Sequence, residues 1–122
     1  MIGSLMMRVG TLVLLVGMLA GVAMGLKQDF TLAPAHAHLN LVGGVLLFVF
    51  GLYYRLVPAA GTSALAKPQG WLHMIGAMLF PAGIALVDLK GTSYIFVPAI
   101  GSSIVVLAMA LFVVIVFRVT RA

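Results

Sequence analysis

Cysteine is absent from the chain, and the only acids are Asp29 and Asp88. Without cysteine there can be no disulfide, thiolate metal site, iron–sulfur cluster or cysteine-linked haem. No nucleophile–base pair, phosphate-binding loop or carboxylate pair is present either, so hydrolase and kinase chemistry has no residues to work with. Charge of both signs is scarce: 7% of the 122 residues are charged against 64% hydrophobic, and the mean hydropathy is +1.28. A water-soluble domain needs far more polar surface, so most of the chain must face lipid or other apolar helices. The net charge of +5 does not point to nucleic acid, because the seven basic residues are scattered and cap apolar segments. Period-2 alternation is missing as well, which argues against strands.

What is present is four long apolar runs, near Val9–Leu26, Ala35–Val57, Gly70–Val87 and Ser93–Phe117. A bilayer core of about 30 Å needs about 20 helical residues, and each run is of that order. The reading is an all-α membrane protein, a four-transmembrane-helix bundle forming a single domain over residues 1–122. Arg8, Arg55, Lys67, Arg118 and Arg121 fall at the N-terminus, the middle loop and the C-terminus. Lys27 and Lys90 share the other two loops with Asp29 and Asp88. By the positive-inside rule both termini are expected to be cytoplasmic, in a multi-pass protein of a bacterial-type inner (plasma) membrane. Arg8, an apolar stretch and the small residues of "GVAMG" also have the look of a secretory leader. We read that segment as the first span.

The polar residues inside these runs carry the functional information. "LAPAHAHLNLVGG" places His36, His38 and Asn40 at the start of the second span, with Pro34 suited to its first turn. Residues two apart on a helix are about 200° apart around its axis. His36 and His38 therefore face nearly opposite sides and cannot grip one ion; a one-face chelate would need i, i+4 spacing. Asn40 and Gly43 share the face of His36, and the glycine leaves room for something bulky. Ionisable residues at such depth are functional by default, so a bound metal or cofactor is expected at His36 and His38. His73, in "GWLHMIG", is expected about one turn from the opposite surface, on the order of 15–20 Å from His38. Two axial nitrogens on one iron lie about 4 Å apart. The second ligand must then be a methionine such as Met18 or Met24, or a histidine of a second copy of the chain. A closed heterologous ring would use both faces by joining His36 of one chain to His38 of the next.

The stretch "HAHLNLVGGVLLFVFGLYYRLVP" resembles the histidine-bearing helices of haem–copper oxidase subunit I, with a weaker likeness in "WLHMIGAMLFPAGIAL". The resemblance implies one four-helix arc of that subunit, three copies of which would rebuild its ring as a homotrimer. It implies haem b, one per chain, with bis-histidine iron between protomers, serving electron transfer or redox and haem sensing. A quinol or a cytochrome would be the redox partner. The resemblance further implies that Lys90, in the loop comparable to the one that holds haem propionates, could meet those carboxylates, with Lys27 in the other outward loop. Histidines for a copper site, a His–Tyr pair and acids or lysines for a proton channel are missing, so independent oxygen-reducing activity is not expected.

Other residues have plainer readings. His73 and Trp71 are expected to anchor the third helix at the inner interface, and Tyr53, Tyr54 and Arg55 to form a belt there. Pro81 and Pro98 are expected to kink the third and fourth helices. Met74 and Met78 are expected to pack rather than to carry soft metal. The alternatives to haem are a copper- or zinc-binding protein and a cofactor-free assembly or interaction subunit of a respiratory complex.

Overall fold

The computed structural model describes residues 1–121 and, among them, is helical with no strand. The elements are α1 (Ile2–Lys27), α2 (Ala33–His38), a π-helical segment (Leu39–Leu46), α3 (Leu47–Leu56), the short α4 (Pro58–Gly61), α5 (Ala66–Lys90), a 3₁₀ turn (Thr92–Tyr94) and α6 (Phe96–Val119). Residues Ala33–Leu56 run on as one rod. The chain thus has four helices long and apolar enough to cross a membrane: Ile2–Lys27, Ala33–Leu56, Ala66–Lys90 and Thr92–Val119.

The first and third helices start earlier than the hydropathy suggests. Neither Ser4 nor Arg8 breaks α1, and Met6 is wholly buried beneath it. In α5 the polar run Ala66–Gln69 is already helical, because Pro68 falls in the first turn, where its missing N–H is tolerated. That extension moves His73 well inside the helix. Pro81 lies inside α5 as expected, but Pro98 sits in the first turn of α6 and interrupts no hydrogen bond there.

Neighbouring long helices run antiparallel. Gly3 of α1 approaches Gly51, Gly10 approaches Gly44, and Gly17 approaches Asn40, so the two rods descend past each other in register. Glycine is required at these crossings. A Cβ on Gly51 would stand 2.6 Å from the Gly3 carbonyl oxygen, and one on Gly3 would stand 2.8 Å from that of Gly51. Backbones this close gain packing that larger side chains forbid. The α5–α6 crossing is built the same way, with Gly83 against Pro98 and Gly101 against Phe80.

The packed core lies towards the end that carries both termini. Met6, Leu47, Phe50, Tyr54, Ala60, Ala66, Met74 and Ile115 form it, and Phe50 stacks on Phe112 at 4.2 Å. Tyr54 is wholly buried, not part of an interfacial belt. Its hydroxyl donates to Oε1 of Gln69 at 2.7 Å, and Nε2 of Gln69 donates to the Ala108 carbonyl at 3.3 Å. Three long helices are tied by these two bonds. Arg55 is exposed and donates to the Ser4 hydroxyl, while Trp71 is exposed on the outside of α5.

Replacing Gly51 with Ala should destabilise the fold by about 1–3 kcal/mol through overpacking at the α1–α3 crossing. The same change at Gly25, whose added Cβ would meet nothing within 4 Å, should cost nothing or stabilise slightly. Unfolding in mixed detergent micelles reads both; equal effects would contradict the assigned crossing.

Candidate functional site

At the far end, away from the termini, two cavities lie on either side of the second rod. The first, about 480 Å³, lies between α1, α2 and α5 and is lined by His36 with Met24, Lys27, Asp29, Met78 and small residues of all three helices. The second, about 450 Å³, lies between α2, α5 and α6 and is lined by His38, Phe80, Asp88, Pro98 and Ser102 among others. His36 and His38 line different cavities. That separation is what regular helix geometry gives for residues two apart.

His38 is held by its own helix. Its Nδ1 lies 2.7 Å from the Pro34 carbonyl, which can only accept, so Nδ1 carries the proton and donates. Nε2 is left with its lone pair. Imidazole ligands are oriented this way in metal sites, where a hydrogen bond at one nitrogen fixes the tautomer for ligation at the other. Phe80 packs edge-on against the ring at 4.8 Å and limits its rotation.

His36 is arranged differently. Asn40, one turn on, donates from Nδ2 to Nε2 of His36 at 3.3 Å, and Nδ1 of His36 and Oδ1 of Asn40 are buried without a partner. With the amide reversed, Nε2 would donate to Oδ1 instead. In either orientation Nδ1 of His36 stays unpartnered. Buried polar atoms without partners are uncommon and call for an explanation. Both side chains rest on glycines of α1: a Cβ at Gly21 would be 3.0 Å from Cε1 of His36, and one at Gly17 would overlap Oδ1 of Asn40. The sequence offered a signal for this in the Gly17, Gly21, Gly25 spacing of "GMLAGVAMG", which repeats every four residues.

The remaining candidates separate. Gly43 belongs to the packed interior: a Cβ there would meet Cε of Met78 at 3.0 Å, Cγ1 of Val13 at 3.3 Å and the Ala77 carbonyl oxygen at 3.4 Å. It lines neither histidine cavity. Lys27 lines the His36 cavity, whereas Lys90 is exposed at the end of α5 and lines neither. Met24 lines the His36 cavity, but Met18 is exposed on the outside of α1. Asp29 is held below the usual carboxylate range by the hydroxyl and N–H of Thr31, so it stays charged at that cavity.

His73 is not an interfacial anchor. It is wholly buried, and its Nε2 donates to the Val42 carbonyl at 2.9 Å while Phe50 packs edge-on at 4.8 Å. Val42 lies in the π-helical segment. A helix that widens to five-residue turns and returns to four leaves carbonyl capacity outside its own ladder, and His73 supplies a donor there. His73 lies seven residues from Phe80, the neighbour of His38, or roughly 10 Å along the helix. The gap is smaller than the one expected from hydropathy but still too wide for one iron. Among the described residues no three of His, Asp and Glu come together as a metal-binding group.

No family model, no curated protein and no solved structure matches the chain. The expected likeness to oxidase subunit I therefore rests on the His36–Pro58 stretch and, more weakly, on Trp71–Leu86.

Replacing His73 with Ala should cost about 2–4 kcal/mol, since it opens a buried cavity and removes the donor to the Val42 carbonyl. Replacing His38, which is part-exposed and bonded only within its own helix, should cost less than about 1 kcal/mol. Detergent-micelle unfolding of the two variants distinguishes these roles, and a His38 variant as unstable as the His73 variant would contradict them.

Proposed function

We propose that the chain is an integral membrane protein that binds haem b and serves electron transfer or redox sensing, its iron held by two histidines from adjacent protomers. One observation carries this reading. The imidazoles of His36 and His38 leave one helix into two separate cavities, and each has a ring nitrogen free of any bond to protein.

The residues fit such a group. His38 would ligate through Nε2, whose lone pair is set by the bond from Nδ1 to Pro34. His36 would ligate through Nδ1 with the Asn40 amide reversed, so that Nε2 carries the proton and donates to Oδ1. Haem would supply reversible one-electron chemistry when bound, and His36 and His38 as its two protein ligands would leave no position open for oxygen. Lys27, in the lining of the His36 cavity, would meet an acidic substituent there. Lys90 stands at the same end as a second cation for that purpose.

The assembly follows from the opposed histidines. A twofold dimer would pair like with like or leave one face unused, whereas a heterologous ring satisfies every ligand. A homotrimer with one haem per chain is the form we propose, by likeness to the arcs of oxidase subunit I. The basic residues Arg8, Arg55, Lys67, Arg118 and Arg121 would place both termini in the cytoplasm, in a plasma membrane of bacterial type. Haem and the histidine cavities then lie towards the outer surface, within reach of a quinol or a cytochrome.

A cofactor-free interaction subunit is the reading that a different observation favours. His36 and Asn40 rest on Gly21 and Gly17, which gives them a packing role without any ligand. A copper or zinc protein would need further ligands from a second chain, because no three-residue group of His, Asp and Glu forms among the described residues of one.

The spectrum of the purified protein separates the three. Haem loading should give a Soret band, a pyridine haemochrome of b type and a low-spin ferric signal. His36→Ala and His38→Ala should each abolish or convert that signal, and His73→Ala should leave it largely intact in whatever protein folds. A protein that stays colourless after haem is supplied contradicts the proposal.

A further inference from the structure

The end of the molecule that carries the termini holds five basic side chains and neither of the two acids. Two of them, Arg8 and Arg55, share the α1–α3 crossing with the hydroxyl of Ser4. Arg55, at the end of α3, reaches across to α1, where its Nη1 donates to the Ser4 hydroxyl oxygen at 3.1 Å. Its Cγ lies 3.4 Å from the position of a Cβ on Gly3. Arg8 is one helical turn from Ser4 and so lies on the same face of α1. Arg8 and Arg55 are both exposed. One guanidinium thus holds Ser4, a second stands one turn along the same face, and no Asp or Glu lies at this end among the described residues.

Depth makes the missing counter-ion costly. Arg8 lies six residues into α1, roughly 9 Å along the helix from Ile2, on a surface otherwise built of apolar side chains. An exposed arginine at that depth lowers its cost by extending towards the headgroup layer, which here is the direction of Ser4 and Arg55. The chemistry that answers a paired guanidinium cluster is a phosphate, bound by charge-assisted and bidentate hydrogen bonds. The Ser4 hydroxyl accepts from Arg55 and keeps its own proton to donate to a phosphate oxygen.

We propose that Arg8, Ser4 and Arg55 form a binding site for the phosphate of an anionic phospholipid at the α1–α3 crossing. The lipid is the occupant because the cluster sits on the outer face of two helices proposed to meet the bilayer, at the height of its headgroups. The site rests only on that membrane placement and is independent of haem. It would stabilise the crossing of Gly3 with Gly51 from outside, where the two backbones are closest.

The full-length protein in nanodiscs of phosphatidylcholine with a minor fraction of phosphatidylglycerol tests this by native mass spectrometry. The wild type should retain phosphatidylglycerol in preference to phosphatidylcholine. Arg8→Gln with Arg55→Gln should weaken that preference roughly thirtyfold, the effect of two basic residues at an anionic surface. Lys67→Gln, which removes an exposed cation of the same end outside the cluster, should change it little. Because the glutamine pair could disturb folding, Arg8→Lys with Arg55→Lys is made alongside. It should keep part of the preference and the wild-type helix content by circular dichroism. Equal loss in Lys67→Gln, or no loss in the glutamine pair, overturns the site. Displacement of the lipid by millimolar inorganic phosphate would mean a free-anion site and overturns the lipid assignment. Haem content is read on the same samples and should not follow the lipid.

Discussion

Polar atoms on helices this apolar must find partners within the protein, because a hydrocarbon layer offers no water to take a hydrogen bond. Several of those buried here have done so, whereas Nδ1 of His36, Oδ1 of Asn40, the Tyr53 hydroxyl and Nδ1 of His73 have not. Tyr54 is bonded to Gln69 and Gln69 to the Ala108 carbonyl, so α3, α5 and α6 are held in one register. His73 is bonded to the Val42 carbonyl, which fixes α5 against the widened segment of the second rod. These bonds lie in or beside the tightly packed half. His36 differs from His73 in its surroundings: His36 lines a cavity between α1, α2 and α5, and His73 lines neither histidine cavity. That contrast is the basis for reading His73 as structural and His36 as a ligand.

The contact of α1 with the second rod also changes along its length. Glycine brings backbones together at Gly3 with Gly51 and at Gly10 with Gly44. Further along α1, Gly17 and Gly21 do not bring backbone to backbone; the space they leave is taken by Asn40 and His36. Beyond them Gly25 faces nothing. The same residue type thus passes from close packing, through support of a polar pair, to open space along one helix. The cavity beside His36 is the result, and under the proposed function this is where the helices make room for a cofactor.

Much of this architecture was legible in the sequence. The four apolar runs set the number of long helices, and the two-residue spacing of His36 and His38 set their divergence into separate cavities. The limits of the helices were less legible, because hydropathy falls at Arg8 and at Lys67–Gln69 while the backbone stays helical. That error placed His73 at a surface when it lies wholly inside. The π-helical segment left no composition signal: "LNLVGGVL" reads as ordinary apolar helix, and its widened turns show only in backbone hydrogen bonding. Gly43 shared a face with His36 by α-helical spacing, but a wider turn rotates each residue less. Gly43 accordingly meets Met78 and Val13 instead of the cavity. Tyr54 reads as an interfacial residue in the sequence because its partner Gln69 lies fifteen residues away, beyond any local pattern.

Under the proposed function each iron is held by His36 of one chain and His38 of its neighbour. Co-assembly of His36→Ala and His38→Ala chains tests it directly, with low-spin haem quantified against the mixed oligomer. Neither variant alone has a complete pair, but a His38→Ala chain beside a His36→Ala chain rebuilds one across their boundary. Random mixing should restore roughly a quarter of the wild-type sites in a closed heterologous ring. Mixed oligomers that form without regaining low-spin haem, or either variant loading fully by itself, would contradict the account.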